Sequence, residues 1–244
     1  MSQDIDGPLK GWEYKPGTVQ ARMVKTGDGR QVIQMRVDLG ILQLETEGRP
    51  DCTRPHGFPS YFDYLREQSR RADLAGKTFA MSEDQCQEAD REFVEYYHRR
   101  ICWLALRSYD RAIQDADHTL AFMDLVSRHS PNDDYIQAHE QYRGFVVFQR
   151  TQAAAALQVE KSNAEAAIDE IRQGLLKMKA FFDSFEAAEE MEEDGMVQHL
   201  RKVETSLREE YGIEATLQEQ LDKAVANEEY ETAARLRDRL RKRQ

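Results

Sequence analysis

The sequence predicts a mainly α-helical chain with a small β-hairpin region at its N-terminus. Three observations carry this. Residues 1–59 hold five of the six prolines, and their apolar residues alternate in steps of two. From Ser60 onward apolar residues recur at three- and four-residue steps, and N-capping signals precede the helical runs. Composition sorts the chain into three segments: a small β-rich region at 1–59, an antiparallel helical array at 60–210 and a helical hairpin at 212–244.

In the first segment, Val19, Ala21 and Met23 fall on one face, and Ile33, Met35, Val37 and Leu39 do the same against Gln34, Arg36 and Asp38. Thr26, Gly27, Asp28 and Gly29 lie between these runs, and their glycines supply the positive φ angles of a tight reversal, so a β-hairpin is predicted. After Gly40 the phase flips to Leu42 and Leu44, which predicts a bulge or bend at Gly40. Residues 47–57 form a turn-rich loop holding Arg49, Asp51, Arg54 and His56. That set is a candidate polar site, weighed against a plain connector whose prolines and glycines set its path.

Ser82 and Gln85 have capping-box spacing and open a helix running through Trp103 to about Arg107. Ile113, Ala116, Leu120 and Met123 mark a second amphipathic helix. Ser130 reads as a cap followed by Pro131 at the first helical position, and the next helix carries Tyr135, His139, Tyr142 and Val146 on one face. Asn163 caps a further helix with the stripe Ile168, Ile171, Leu175, Met178, Phe182 and Phe185. A shift of 55 residues superposes Ala112, Ile113, Leu120 and Met123 on Ala167, Ile168, Leu175 and Met178, a weak internal repeat. Tyr109 to Ile113 resembles the turn and second-helix start of a tetratricopeptide unit, which implies TPR-like stacking and protein binding, although the spacing departs from the usual 34.

Composition narrows the function classes. The 244 residues carry a net charge of −11, with 40% hydrophobic and 32% charged residues. No run of about 18 apolar residues exists, so no membrane span is expected, and the first residues lack the pattern of an export signal, so a cytoplasmic location is expected. Cys52, Cys86 and Cys102 form no C-x-x-C pair and predict neither a disulfide framework nor a zinc site. None of the six histidines has metal-site spacing, and no P-loop, G-x-G-x-x-G or G-x-S-x-G is present. No cofactor, metal or catalytic residue is therefore expected. The acidic surplus disfavours nucleic acid except for a local contact at the basic run Arg235–Arg243; its acidic counterpart is Asp183–Asp194.

The C-terminal segment is the most specific. Leu217, Leu221 and Ala224 share one side of a short helix, and Tyr230, Ala233, Leu236 and Leu240 are in register on the next, with Asn227, Glu228 and Glu229 between them. Facing alanines allow close helix axes, so a compact antiparallel hairpin is predicted, one too small to be stable without a partner or a second copy. The string from Ala226 to Asp238 resembles the UVR motif of the B and C subunits of the bacterial excision-repair nuclease and of Clp-associated adaptors. The resemblance implies a protein-docking element made by Tyr230, Glu231, Ala233, Ala234, Arg235, Arg237 and Asp238. It implies a non-enzymatic adaptor in protein quality control or stress response, or alternatively an accessory factor in nucleotide excision repair. A third alternative is an enzyme using the 49–56 loop.

Overall fold

The computed structural model describes residues 4–241. It is mainly helical with one small antiparallel sheet, and it divides into two compact units, Met1–Val146 and Val147–Gln244. Segment 1–59 thus lies inside the first unit together with the helices up to Val146, and segment 212–244 lies inside the second. Among the described residues no helix is long and apolar enough to cross a membrane.

The first unit opens with a helical turn, α1 (Asp6–Leu9), and three strands, β1 (Gln20–Lys25), β2 (Gln31–Val37) and β3 (Gly40–Glu45), in the order β1-β2-β3. The expected hairpin is β1–β2, with Met23 opposite Ile33 and Ala21 opposite Met35. The phase flip at Gly40 is not a bulge. Val37 pairs with Gly40, so Asp38 and Leu39 form a two-residue turn into a third strand, and Met35 meets Leu42 while Ile33 meets Leu44. Across a two-residue turn, an odd position pairs with an even one, so apolar residues stay on one face only if the sequence phase shifts by one. Ile33 and Leu44 are buried there, while Leu39 at the turn is exposed.

Helices α2 (Tyr61–Leu74), α3 (Glu83–Ala105), α4 (Tyr109–His129) and α5 (Asp133–Glu140) complete the first unit, and α6 (Arg143–Glu160) runs from it into the second. The Ser82–Gln85 capping box forms as expected. The cap after α4 differs from expectation: Asn132, not Ser130, accepts the Tyr135 N–H, and α5 begins at Asp133. The core gathers Tyr61, Phe62, Leu65, Phe122 and Val126, with Ala116, Met123 and Val146 beside Phe93.

Charged side chains fasten the sheet and its connector to α3. Arg49, buried, pairs with Glu88 and donates from Nε to Glu95 at 2.8 Å. Arg99, also buried, donates to the carbonyls of Glu45 and Gly48 at 3.0 and 2.7 Å and grips Asp115 through two bonds. Glu92, fully buried, accepts the first free N–H groups of α2, those of Tyr61 and Phe62, at 2.6 and 3.0 Å. A carboxylate at a helix N-terminus satisfies orphan donors and the positive end of the dipole together.

The second unit contains the rest of α6, then α7 (Ala164–Ser184), α8 (Gly195–Tyr211), α9 (Leu217–Ala226) and α10 (Tyr230–Arg241). Asn163 caps α7 as expected, and Ile168, Ile171 and Met178 are buried along its stripe, Leu175 half-buried and Phe185 more exposed. Ala155, Ala167, Ile168, Ile171, Leu200 and Leu207 make its core. Gly174 faces Thr151 so closely that a Cβ added there would lie 2.8 Å from Thr151 Cβ.

The 55-residue repeat corresponds to one turn built twice, and a third copy joins α9 to α10. Arg107, Ser162 and Glu228 are left-handed, with φ of 59°, 57° and 60°. After each, the next N–H reaches back to the carbonyl five residues earlier: Ser108 to Trp103, Asn163 to Gln158 and Glu229 to Ala224, at 2.9, 2.9 and 2.8 Å. These are Schellman closures made without glycine. Each is followed by a buried alanine on the new helix, Ala112, Ala167 or Ala233.

Candidate functional site

The third hairpin is built by strong local signals. Thr216 opens α9 with a complete capping box, its hydroxyl accepting the Glu219 N–H while the Glu219 carboxylate accepts the Thr216 N–H at 2.7 Å. Glu228 then turns the chain into α10. The seam between the two helices is Leu217 and Ala224 against Ala233 and Leu236, with Leu221 and Leu240 at its edges.

The hairpin is hooked onto the helices that precede it. Arg208 of α8 donates to Glu219 from Nη2 at 2.8 Å and from Nη1 at 3.2 Å, and Arg172 of α7 comes within 3.4 Å of the same carboxylate. The Thr216 hydroxyl also donates to Asp169 of α7 at 2.7 Å. Desolvation alone would push the Glu219 carboxyl up, but the hydrogen bonds from Arg208 and the Thr216 amide outweigh it and hold the group below the usual glutamate range. Burial dominates at Asp169, which is pushed up despite the Thr216 bond.

One face of the hairpin is left open. Leu221, Val225, Tyr230, Ala233 and Ala234, flanked by Asp222 and Arg237, line a groove of about 700 Å³. Val225 and Tyr230 are 55% and 70% exposed. Residues 215–243 match the UvrB/uvrC (UVR) motif. Neither the curated proteins nor the solved structures compared with this chain give a match.

The UVR hairpin places the seven residues named from the sequence in three settings. Ala233 belongs to the seam and also borders the groove, Tyr230, Ala234 and Arg237 line the groove only, and Glu231, Arg235 and Asp238 lie on the exposed surface away from it. Tyr230, grouped with Leu236 and Leu240 by its spacing, therefore lies outside the packed seam. As first residue of α10 it has no preceding turn beneath it to pack on. Val225 and Asp222 were missed, and the available signal was an apolar valine off the Leu217, Leu221 and Ala224 stripe. Arg239 and Arg241 are exposed like Arg235, whereas Lys242 and Arg243 of the basic run lie outside the described residues.

The loop at 49–56 does not assemble the set read from the sequence. Arg49 and Asp51 lie together, their ion pair at 3.4 Å, but Arg49 is committed to acids of α3. Arg54 is exposed, and His56 stacks on Tyr64 with ring centroids 4.0 Å apart. Other histidines are likewise engaged: His118 Nε2 meets Glu92 at 3.0 Å, and His139 meets Asp90 at 3.0 Å. Among the described residues no group of three His, Cys, Asp or Glu side chains is placed to hold a metal ion.

Proposed function

We propose that the chain is a non-enzymatic adaptor that docks on a protein partner through the groove of its UVR hairpin and binds a second protein through its TPR-like helical scaffold. The carrying observation is the exposed pair Val225 and Tyr230, presented by a hairpin whose packing and anchorage are satisfied without them. Exposed aromatics on a preorganised apolar patch are the usual energetic centre of a protein interface.

The test compares the full chain with one ending at Gly212 in a pull-down from native lysate, together with two point variants. Tyr230→Asp keeps the seam, so helicity stays unchanged while partner affinity falls by about 30-fold or more, the scale of a hot-spot loss of about 2 kcal/mol. Leu236→Asp puts a charge into the seam, so the hairpin unfolds and binding is lost with it. Retention of every partner by the chain ending at Gly212 would remove the docking reading.

A second reading, an accessory role in excision repair, draws on the exposed Arg235, Arg237, Arg239 and Arg241 of α10. It requires DNA affinity that falls steeply with salt and is lost in Arg235→Glu with Arg237→Glu.

A further inference from the structure

An apolar concavity lies within the first unit, lined wholly by residues 90–146. Its long wall is the stripe Asp90, Phe93, Val94, Tyr97 and Arg100 of α3, at the three- and four-residue steps of one helix face. Met123 of α4, Tyr142 between α5 and α6 and Phe145 in the first turn of α6 complete the enclosure. The space so formed is about 640 Å³, within the range of small-molecule sites, whereas a protein interface of ordinary size extends over a wider patch. Val94 and Tyr142 remain 54% and 59% exposed on it, while Phe93, Met123 and Val146 join it to the core.

The charges of the groove stand apart from its middle. Its acid and its arginine, Asp90 and Arg100, are ten residues apart on α3 and so separated by about 15 Å along the helix axis. Asp90 accepts from the Tyr135 hydroxyl at 2.8 Å and meets His139 Nε2 at 3.0 Å. Arg100 is buried, donates to Thr119 Oγ1 at 2.9 Å and lies 5.8 Å from the Tyr97 ring centre. Each charge thus has partners within the fold, and Phe93, Val94 and Tyr97 between them bring none of their own. An ion entering that stretch sheds its water with no counter-charge set aside for it, whereas an uncharged molecule gains the apolar contact without that loss.

We propose that this groove binds a small uncharged apolar molecule, its hydrocarbon body lying along Val94 and Tyr97 of α3 against Tyr142 and Phe145. The test is calorimetric titration of the full chain with decanol, decanoate and decylamine, ligands that share a tail and differ in charge. Decanol is expected to bind at least about tenfold tighter than either ion. Val94 is more than half exposed, so Val94→Asp leaves the melting temperature unchanged, and it is expected to weaken decanol by about tenfold or more because it sets a hydrated charge in the middle of the wall. Tyr230→Asp, at the groove of the UVR hairpin, is expected to leave decanol binding as it was. Either ion binding as tightly as decanol would overturn the proposal. Undiminished decanol binding by Val94→Asp, or its loss in Tyr230→Asp, would place decanol elsewhere and overturn it too. Binding of none of the three would assign the groove to a protein segment, with the same consequence.

Discussion

The contact between Gly174 and Thr151 makes the stability of the second unit depend on a missing methyl group. Alanine is about 1 kcal/mol better than glycine in a helix interior, so Gly174→Ala in the middle of α7 would stabilise an unobstructed helix. Here the new Cβ would lie 2.8 Å from Thr151 Cβ, and closer to its Oγ1 and Cγ2, where carbon atoms rest at about 3.5 to 4.0 Å. Thr151 has little room to yield: it is 2% exposed, and its hydroxyl donates to the Val147 carbonyl at 2.8 Å. Overpacking costs about 1 to 3 kcal/mol and a displaced hydroxyl about 1 more, so after the propensity gain the variant should lose about 1 to 3 kcal/mol. In a Thr151→Ala background the obstacle is gone, and Gly174→Ala should become neutral or stabilising. Urea unfolding followed by far-UV circular dichroism measures all four chains of this cycle, and at a slope of about 2 kcal/mol per molar urea the single variant's midpoint falls by about 0.5 to 1.5 M. Both tryptophans, Trp12 and Trp103, lie in the first unit, so their fluorescence follows that unit separately and its midpoint should not move. An unchanged or raised dichroism midpoint in Gly174→Ala, or the same loss in the Thr151→Ala background, would refute the steric argument.

Two further outcomes follow from groups with shifted titration. Glu219 is held below its ordinary pKa in the folded chain, so its contribution to anchoring the UVR hairpin is fully present above the usual glutamate range and is lost as pH falls through the lowered value. Glu219→Gln should flatten that acid limb when hairpin helicity is followed from pH 6 to about 2, and an identical acid profile in the variant would count against the anchor. Burial pushes the Cys102 thiol up to about 12, and the side chain is fully enclosed, whereas Cys52 is exposed. At pH 8 a thiol-specific reagent should modify Cys52 first, Cys86 more slowly and Cys102 only after denaturation; fast native labelling of Cys102 would contradict its burial.

What the sequence reveals of this fold is what depends on neighbours in sequence. The capping box of Ser82 and Gln85, the cap at Asn163 and the β1–β2 hairpin were legible because each is decided within a few residues. The third strand was hidden because a phase flip has two geometric solutions, a bulge within one strand or a tight turn between two, and only pairing distinguishes them. Ser130 and Asn132 both have capping side chains, and Asn132 takes the role by accepting the Tyr135 N–H, while Ser130 accepts the Asn132 N–H. The buried bond from Arg49 to Glu95 joins residues 46 positions apart, with nothing local to mark it. At the UVR hairpin the seam was legible from spacing, but exposure was not: Tyr230 shares the register of Leu236 and Leu240 and differs from them only in standing at the helix start.

The turn at Arg107, Ser162 and Glu228 makes each hairpin a self-contained cassette. Its Schellman bonds satisfy the last carbonyls of one helix from within the turn itself, and the alanine that follows lets the second helix lie against the first. Such a cassette can be duplicated or excised at its outer ends without stranding a backbone group at the turn. By this measure the UVR hairpin and the two hairpins of the helical array are one kind of object in different surroundings. The three hairpins then differ by how much of the outer face other helices cover, and the addition or loss of a flanking helix would change how much apolar surface each presents.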